Sequence, residues 1–464
     1  MKRTKKLHYG LLLAGSLLAA PAPGFAAEQP ESVEMRITRL EKELSELKAL
    51  MKKKPETVPS TAQTPLVQPP QAPQAAPQAQ KPDQQTPLTV SLGAGVNAQL
   101  YGFARLDAIW ESGQIYPGNI ALWAQPAGMG RNDGEWNLSA GASRLGFNLS
   151  GPDTEKLKLS GTIEIDFTGG GSENNQNPRM RHAYLKAFWP DSDFSIVAGQ
   201  TWDLVAAQIP FTDDPAIMWG AGNIGGRHPQ LRLTKGFRTG EKGRIEIAVA
   251  ASRSIGEKNK VTDTYIPDPG RDADIPTIQG RIALSGPLIV ENKPATIALS
   301  GHYGQEEWDT DTSNTHRTLD TWSCNLELSL PLSRKLLFAG EYFTGENLDE
   351  FYGGIGQGVN TGHSTNFWNI RSHGGWAALK YFASPSTTFS IGAGIDDPND
   401  SDLVDYPVAP GKARSLNRTI FANVINQVTP NFILGFQLGE WITDYIGAPR
   451  SEAVRAQSSV TYKF

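Results

Sequence analysis

From residue 88 to the end of the chain, apolar and polar side chains alternate in short runs separated by Gly, Pro, Asn and Asp. A period of two marks strands whose two faces meet different surroundings. The run Leu157-Lys158-Leu159-Ser160-Gly161-Thr162-Ile163-Glu164-Ile165-Asp166-Phe167 shows it plainly, and Ile245, Ile247 and Val249 against Arg244 and Glu246 repeat it. The same criterion yields about sixteen strands. They begin with 96–110, 136–149, 157–167, 180–189 and 194–202, and continue with 230–237, 244–251, 277–285, 295–303 and 319–330. The last six are 336–344, 375–382, 388–395, 417–428, 431–441 and 454–464.

Short connections such as 151–154, 190–193 and 331–334 alternate with long ones such as 111–135, 203–229, 253–276, 345–364 and 397–415. A soluble sandwich has no reason to gather its long loops at one end, whereas barrels of the outer membrane keep short turns inside and long loops outside. The expected fold class is all-β, a transmembrane antiparallel β-barrel over 88–464. Trp110, Trp189, Trp441, Tyr381 and Tyr462 fall near strand ends, where interfacial girdles are expected. The chain stops on Val460-Thr461-Tyr462-Lys463-Phe464, an alternating strand with a terminal aromatic residue that resembles the assembly signal of outer-membrane porins.

A second pattern precedes the strands. Val33, Ile37, Leu40, Leu44, Leu47 and Met51 recur at spacings of four and three, the seam of a coiled coil over 27–54. With Ile37 at position a, Arg36 and Glu41 pair between parallel neighbours, as do Glu43 and Lys48. Ile at a with Leu at d leans toward two strands, whereas the run Arg36 to Glu41 resembles a trimeric coiled-coil pattern; three are expected. Residues 55–87 hold nine prolines and eight glutamines in 33 positions, a composition that cannot bury a core. Extended at about 3.1 Å per residue, this linker reaches roughly 100 Å. Residues 1–26 combine a cationic head with the apolar stretch Leu11 to Ala20 and end Gly24-Phe25-Ala26, a secretory signal peptide.

Composition changes this picture little. Cys324 is the single cysteine, so no intramolecular disulfide forms despite export. The signal carries four of the 43 Lys+Arg and none of the 48 Asp+Glu, which leaves 39 against 48, a net charge of -9. No basic patch suggests nucleic acid. The seven histidines lack metal-ligand spacing, and neither a nucleophile elbow nor a phosphate loop occurs, so neither an enzyme nor a cofactor is expected. Asp309-x-Asp311-x-Ser313 lacks the Gly and the closing Glu of a calcium loop, and no metal is expected there.

A signal, a short heptad helix and a Pro/Gln linker are followed by Leu100-Tyr101-Gly102-Phe103-Ala104-Arg105-Leu106-Asp107, Ser143-Arg144-Leu145-Gly146-Phe147 and Ala198-Gly199-Gln200-Thr201-Trp202-Asp203. Together these segments resemble the DcaP-like trimeric porins of Gram-negative bacteria, over essentially the whole mature chain. The resemblance implies a homotrimer in the outer membrane, a periplasmic three-helix stalk, and uptake of small anions, dicarboxylates in particular. Lipid and lipopolysaccharide are the expected surroundings, and the stalk lies within reach of peptidoglycan. Two alternatives stay open: a stalked sugar porin, which needs aromatic rather than charged residues along its lumen, and an envelope tether whose barrel is only an anchor.

Strand parity points Arg105, Arg144, Arg232, Arg281 and Arg455 inward, where guanidinium forks suit carboxylates. The competing expectation is that they only balance Asp107, Glu164, Asp166, Glu246 or Glu341. Arg179 and Arg181 have ambiguous parity. The connection after the fifth strand carries the apolar clusters Ile209-Pro210-Phe211 and Ile217-Met218-Trp219, unusual for a solvated loop. It is expected to fold into the lumen, with Asp203, Asp213, Asp214 and Trp219 at a constriction.

Overall fold

The computed structural model describes residues 88–464 except 127–132, 173–174, 255–268, 310–315, 363–366 and 407–412. The signal, the heptad helix, the linker and the 311–313 segment lie outside the described residues. Sixteen antiparallel strands close into a barrel. They are β1 (Val96–Glu111), β2 (Glu135–Ser139 and Arg144–Ser150), β3 (Lys158–Asp166), β4 (Arg179–Trp189) and β5 (Phe194–Trp202). Next come β6 (Arg227–Thr239), β7 (Gly243–Ser252), β8 (Thr277–Pro287), β9 (Pro294–Asp309), β10 (His316–Pro331) and β11 (Leu336–Glu346). The circuit ends with β12 (Arg371–Phe382), β13 (Thr387–Pro398), β14 (Arg414–Gln427), β15 (Phe432–Tyr445) and β16 (Ala448–Lys463).

Closure runs from Phe103↔Lys463 to Glu111↔Arg455, so no strand edge is left for lipid to meet unpaired. The terminal Phe464 exchanges backbone hydrogen bonds with Gly102 at 3.1 and 3.2 Å. Its ring lies where a side chain on Gly102 would stand, since an added Cβ would come within 2.9 Å of it. Below that point the short strand Thr89–Gly93 takes over the vacant side of β1, pairing with Val96 to Gln99.

Alternation does what the sequence implies. On β8, Ile278, Ile282 and Leu284 are about half exposed while Thr277 and Gln279 are fully buried. Ile247, Val249, Leu299, Ile391, Leu434 and Leu438 are exposed likewise. So continuous an apolar belt is untenable in water and is what a hydrocarbon layer requires. Trp110 pairs with Trp136 at its upper rim, and Tyr381, Phe389 and Tyr462 mark the lower one. Trp441 departs from the girdle expectation: it faces inward and packs on Ile115, Ala121, Ala124 and Ala453. Ile115, Ala121 and Ala124 of the first long connection fold inward beside it and supply the apolar partner. One connection at the long-loop end is tight, the turn at Ile446–Gly447 between β15 and β16.

Candidate functional site

The connection 203–226 enters the barrel and crosses it. A backbone removed from water needs a partner for each polar group, and lumen side chains of distant strands supply them. The Leu204 and Ala206 amides donate to Gln279 and Ser300, at 2.8 and 3.1 Å, and the Gln208 amide donates to Glu341 at 2.6 Å. Further along, Asn423 donates to the Phe211 carbonyl at 2.7 Å, the Asp213 amide donates to Gln437 at 2.7 Å, and Asn417 donates to the Gly220 carbonyl at 2.7 Å. Gly222, at φ +109, lies so close to β12 and β13 that an added Cβ would sit 2.8 Å from the Ile395 nitrogen. These contacts define the loop's path along β8, β9, β11, β13, β14 and β15.

The four loop residues singled out from the sequence are all at this crossing, each pinned against protein. Asp203 closes the neck, accepting from Gly226 at 2.8 Å and Gln279 at 3.1 Å, with His228 Nδ1 at 2.8 Å. Asp213 meets Arg105 at 3.2 Å and Asp214 meets Arg455 at 3.3 Å. Trp219 is buried, donates to the Gly225 carbonyl at 2.9 Å and stacks on Tyr352 with centroids 4.0 Å apart. Their carboxylates and indole hold the loop in place.

All five sequence-selected arginines point inward. Arg105 forks onto Asp107, with Nη2 at 2.7 Å, and also donates to the Asp213 carbonyl at 2.7 Å. The ladder break in β2 aids this placement, because Ser143 Oγ accepts from the Arg105 amide at 2.9 Å. Arg455, 1% exposed, binds Glu111 and also donates to the Gly118 carbonyl at 2.9 Å. Gln457 links the two arginines, donating to Asp107 at 2.9 Å and accepting from Arg455 at 3.2 Å. Around this node two arginines face four carboxylates: Asp107, Glu111, Asp213 and Asp214. Arg281 is paired with Glu327 at 2.8 Å, and Arg232 donates to Gln230 and to the Trp202 carbonyl.

Arg144 belongs to a different neighbourhood. It lies 3.9 Å from Glu164, packs on Phe103 and leaves its buried Nε without a hydrogen bond. On the neighbouring strands Arg181 binds Glu164 at 2.6 Å and Asp166 at 2.9 Å, and Arg179 binds Asp166 at 2.8 Å. The ambiguous parity of Arg179 and Arg181 has a cause: a bulge between Met180 and His182 inserts an extra residue, which lets both arginines reach the inner face. Arg227, at the first position of β6, completes the group over the Trp202 ring at 4.3 Å, and its buried Nη1 has no hydrogen bond. Its inward position is not legible in the sequence: alternation extended back from Gln230 through His228 would place Arg227 on the outer face with Pro229 and Leu231.

Four arginines thus face two carboxylates here. Exposure decides which sign a solute meets: the Arg144 and Arg179 side chains are 33% and 30% exposed, whereas those of Glu164 and Asp166 are 8% and 4%. The accessible surface is cationic and the compensating charge lies beneath it. Beside it stand three aromatic residues, Trp202, Trp219 and Tyr352, of which Tyr352 is not singled out by the sequence. Among the described residues no cluster of three or more His, Cys, Asp or Glu has the disposition of a metal site.

No family model and no curated protein matches the sequence. Similar solved structures include the outer membrane channel DcaP of Acinetobacter baumannii, 18% identical over 80% of this chain and 98% of that one, with a TM-score of 0.64. An anion-selective porin from Comamonas acidovorans is 12% identical over 80% of this chain and 100% of its own, at 0.52. OmpF of Salmonella typhi, in complex with daunomycin, is 12% identical over 81% and 100%, at 0.51. At such identities the likeness is one of fold, and that fold is the porin barrel.

Proposed function

We propose that the chain is an outer-membrane porin of the DcaP-like kind, a homotrimer through which small anions diffuse, dicarboxylates among them. The barrel with its inward loop is the porin architecture, and an apolar exterior of this kind belongs in a bilayer. The observation that carries the anion preference is the inverted exposure at Arg144 and Arg179 against Glu164 and Asp166. A guanidinium with spare donors in a confined bore binds carboxylate in a fork and lowers its barrier, while a carboxylate buried behind it does not attract cations. The net charge of -9 is no obstacle, because charge placement along the bore rather than the total sets permeation.

Purified protein added to planar bilayers should give stepwise conductance in threes with a reversal potential that favours anions. Cation preference would sink the reading, and steps in ones would remove the trimer. The sugar-porin alternative needs aromatic faces open to the bore, and Trp219, 3% exposed and stacked on Tyr352, does not offer one. Liposome swelling separates the two: faster entry of disaccharides than of dicarboxylates favours the second.

A further inference from the structure

On the outer face of the barrel, between β11 and β15, the apolar belt is interrupted by a groove of about 620 Å³. Its floor consists of small outward residues, Gly375, Ala377 and Ala393, and Ile395 and Ile420 stand beside them. Elsewhere the same belt carries Leu, Ile and Phe. The depression lies at the long-loop half of the barrel, where Arg418 and Glu440 also line it. Arg418 pairs across the ladder with Ile442 and Ile395, and Glu440 with Ile420 and Val454. Charged groups among lipid-facing aliphatic residues are costly and mark a function. Arg418 reaches Asp444 only at 3.7 Å, and its buried Nε has no hydrogen-bond partner.

We propose that this groove seats one acyl chain of an outer-leaflet glycolipid of the lipid A type, with a lipid phosphate on Arg418 and hydroxyl or amide donors of the sugar on Glu440. The proposal rests on the outer-membrane reading above. Hydrocarbon already surrounds this face, so an apolar groove gains nothing from excluding water. Shape selects a chain, and the polar pair at its head supplies the preference for one lipid over its neighbours. A guanidinium binds phosphate through charge-assisted hydrogen bonds, and Arg418 offers a spare donor at the level where headgroups begin. Asp444, shared by Arg418 and Arg450 at 3.7 and 2.5 Å, orients the guanidinium without saturating it.

The test is native mass spectrometry of the detergent-purified full chain titrated with lipid A, with phosphatidylglycerol as the competing probe. The unaltered protein should retain lipid A preferentially. Arg418→Gln should lower its apparent affinity about tenfold, the factor for one charge-assisted hydrogen bond, and Ala393→Leu should displace the chain by filling the floor. Equal retention by both variants overturns the proposal, as does equal binding of the two lipids by the unaltered protein. Loss of the oligomer in Ala393→Leu would overturn it too, since the groove's occupant would then be a second copy of the chain. Conductance is read in parallel: intact channels without lipid A binding defeat the seat alone, whereas failure to form channels defeats the porin reading.

Discussion

Two arginine neighbourhoods lie side by side in the lumen and are built on opposite plans. Around Arg105 and Arg455, two guanidinium groups are ion-paired with four carboxylates, Asp107, Glu111, Asp213 and Asp214, and no side chain of the node is more than 14% exposed. Around Arg144 and Arg227, arginines outnumber carboxylates, donors remain unused and the cations are the exposed partners. Residue type and inward direction are the same; the balance of charge and the exposure differ. The first group ties the crossing loop to the wall through Asp213 and Asp214, and the second is the group we propose that solutes meet. An arginine in a pore therefore does not by itself indicate selectivity, because its partners decide whether its charge reaches the solute.

The largest effect should come from breaking the carboxylate-rich node around Arg455. Arg455→Met strands Glu111 and Asp214 as buried, unpaired charges, which should cost about 3–5 kcal/mol. Urea unfolding of the detergent-refolded barrel measures it, and conductance should rise as the loop loosens. A loss below about 1 kcal/mol would show that the node is not structural. Arg105→Gln is the milder version, expected to cost about 1–3 kcal/mol while leaving the anion-to-cation permeability ratio within a factor of about two. A large selectivity change there would dissolve the distinction between the two groups.

The complementary experiment acts on the open group. Arg144→Glu or Arg227→Glu should reduce the anion-to-cation permeability ratio about tenfold. At an effective dielectric near 20, reversing a charge several ångströms from a passing ion is worth more than the roughly 1.4 kcal/mol that this factor represents. Unfolding midpoints should barely move. Unchanged reversal potentials in both variants would relocate selectivity to another part of the bore.

How much of this was legible beforehand follows from what a period of two encodes. All sixteen strands and the inward direction of five arginines are recorded one residue at a time in the alternation. Where the period slips, the record fails. The bulge beside Arg181 hides the true face of Arg179 and Arg181, and the top of β6, where Arg227 leaves the regular strand, reads as loop. Trp441 departs from the girdle expectation: a large apolar residue at a strand end suits lipid, and nothing nearby in sequence announces that Ile115, Ala121 and Ala124 fold in to cover it. The loop acids are legible as members of the inward connection, but their ion-pair partners are not: Arg105 lies 108 positions from Asp213, and a pairing at that separation leaves no local trace.

Ionic strength gives the smallest effect and the sharpest separation of the two neighbourhoods. Raising salt from 0.1 to 1 M shortens the Debye length from about 10 to about 3 Å. On the proposed reading Arg144 acts on solutes through a wet bore, so its contribution should fade, and the permeability ratios of the unaltered protein and Arg144→Glu should converge to within about twofold. The salt bridge of Arg455 is sealed from ions by the loop above it, so the stability lost in Arg455→Met should be nearly the same at both salt concentrations. If the stability loss also disappears in high salt, water and ions reach the node, and the contrast between a fastening arginine and a selecting one does not hold.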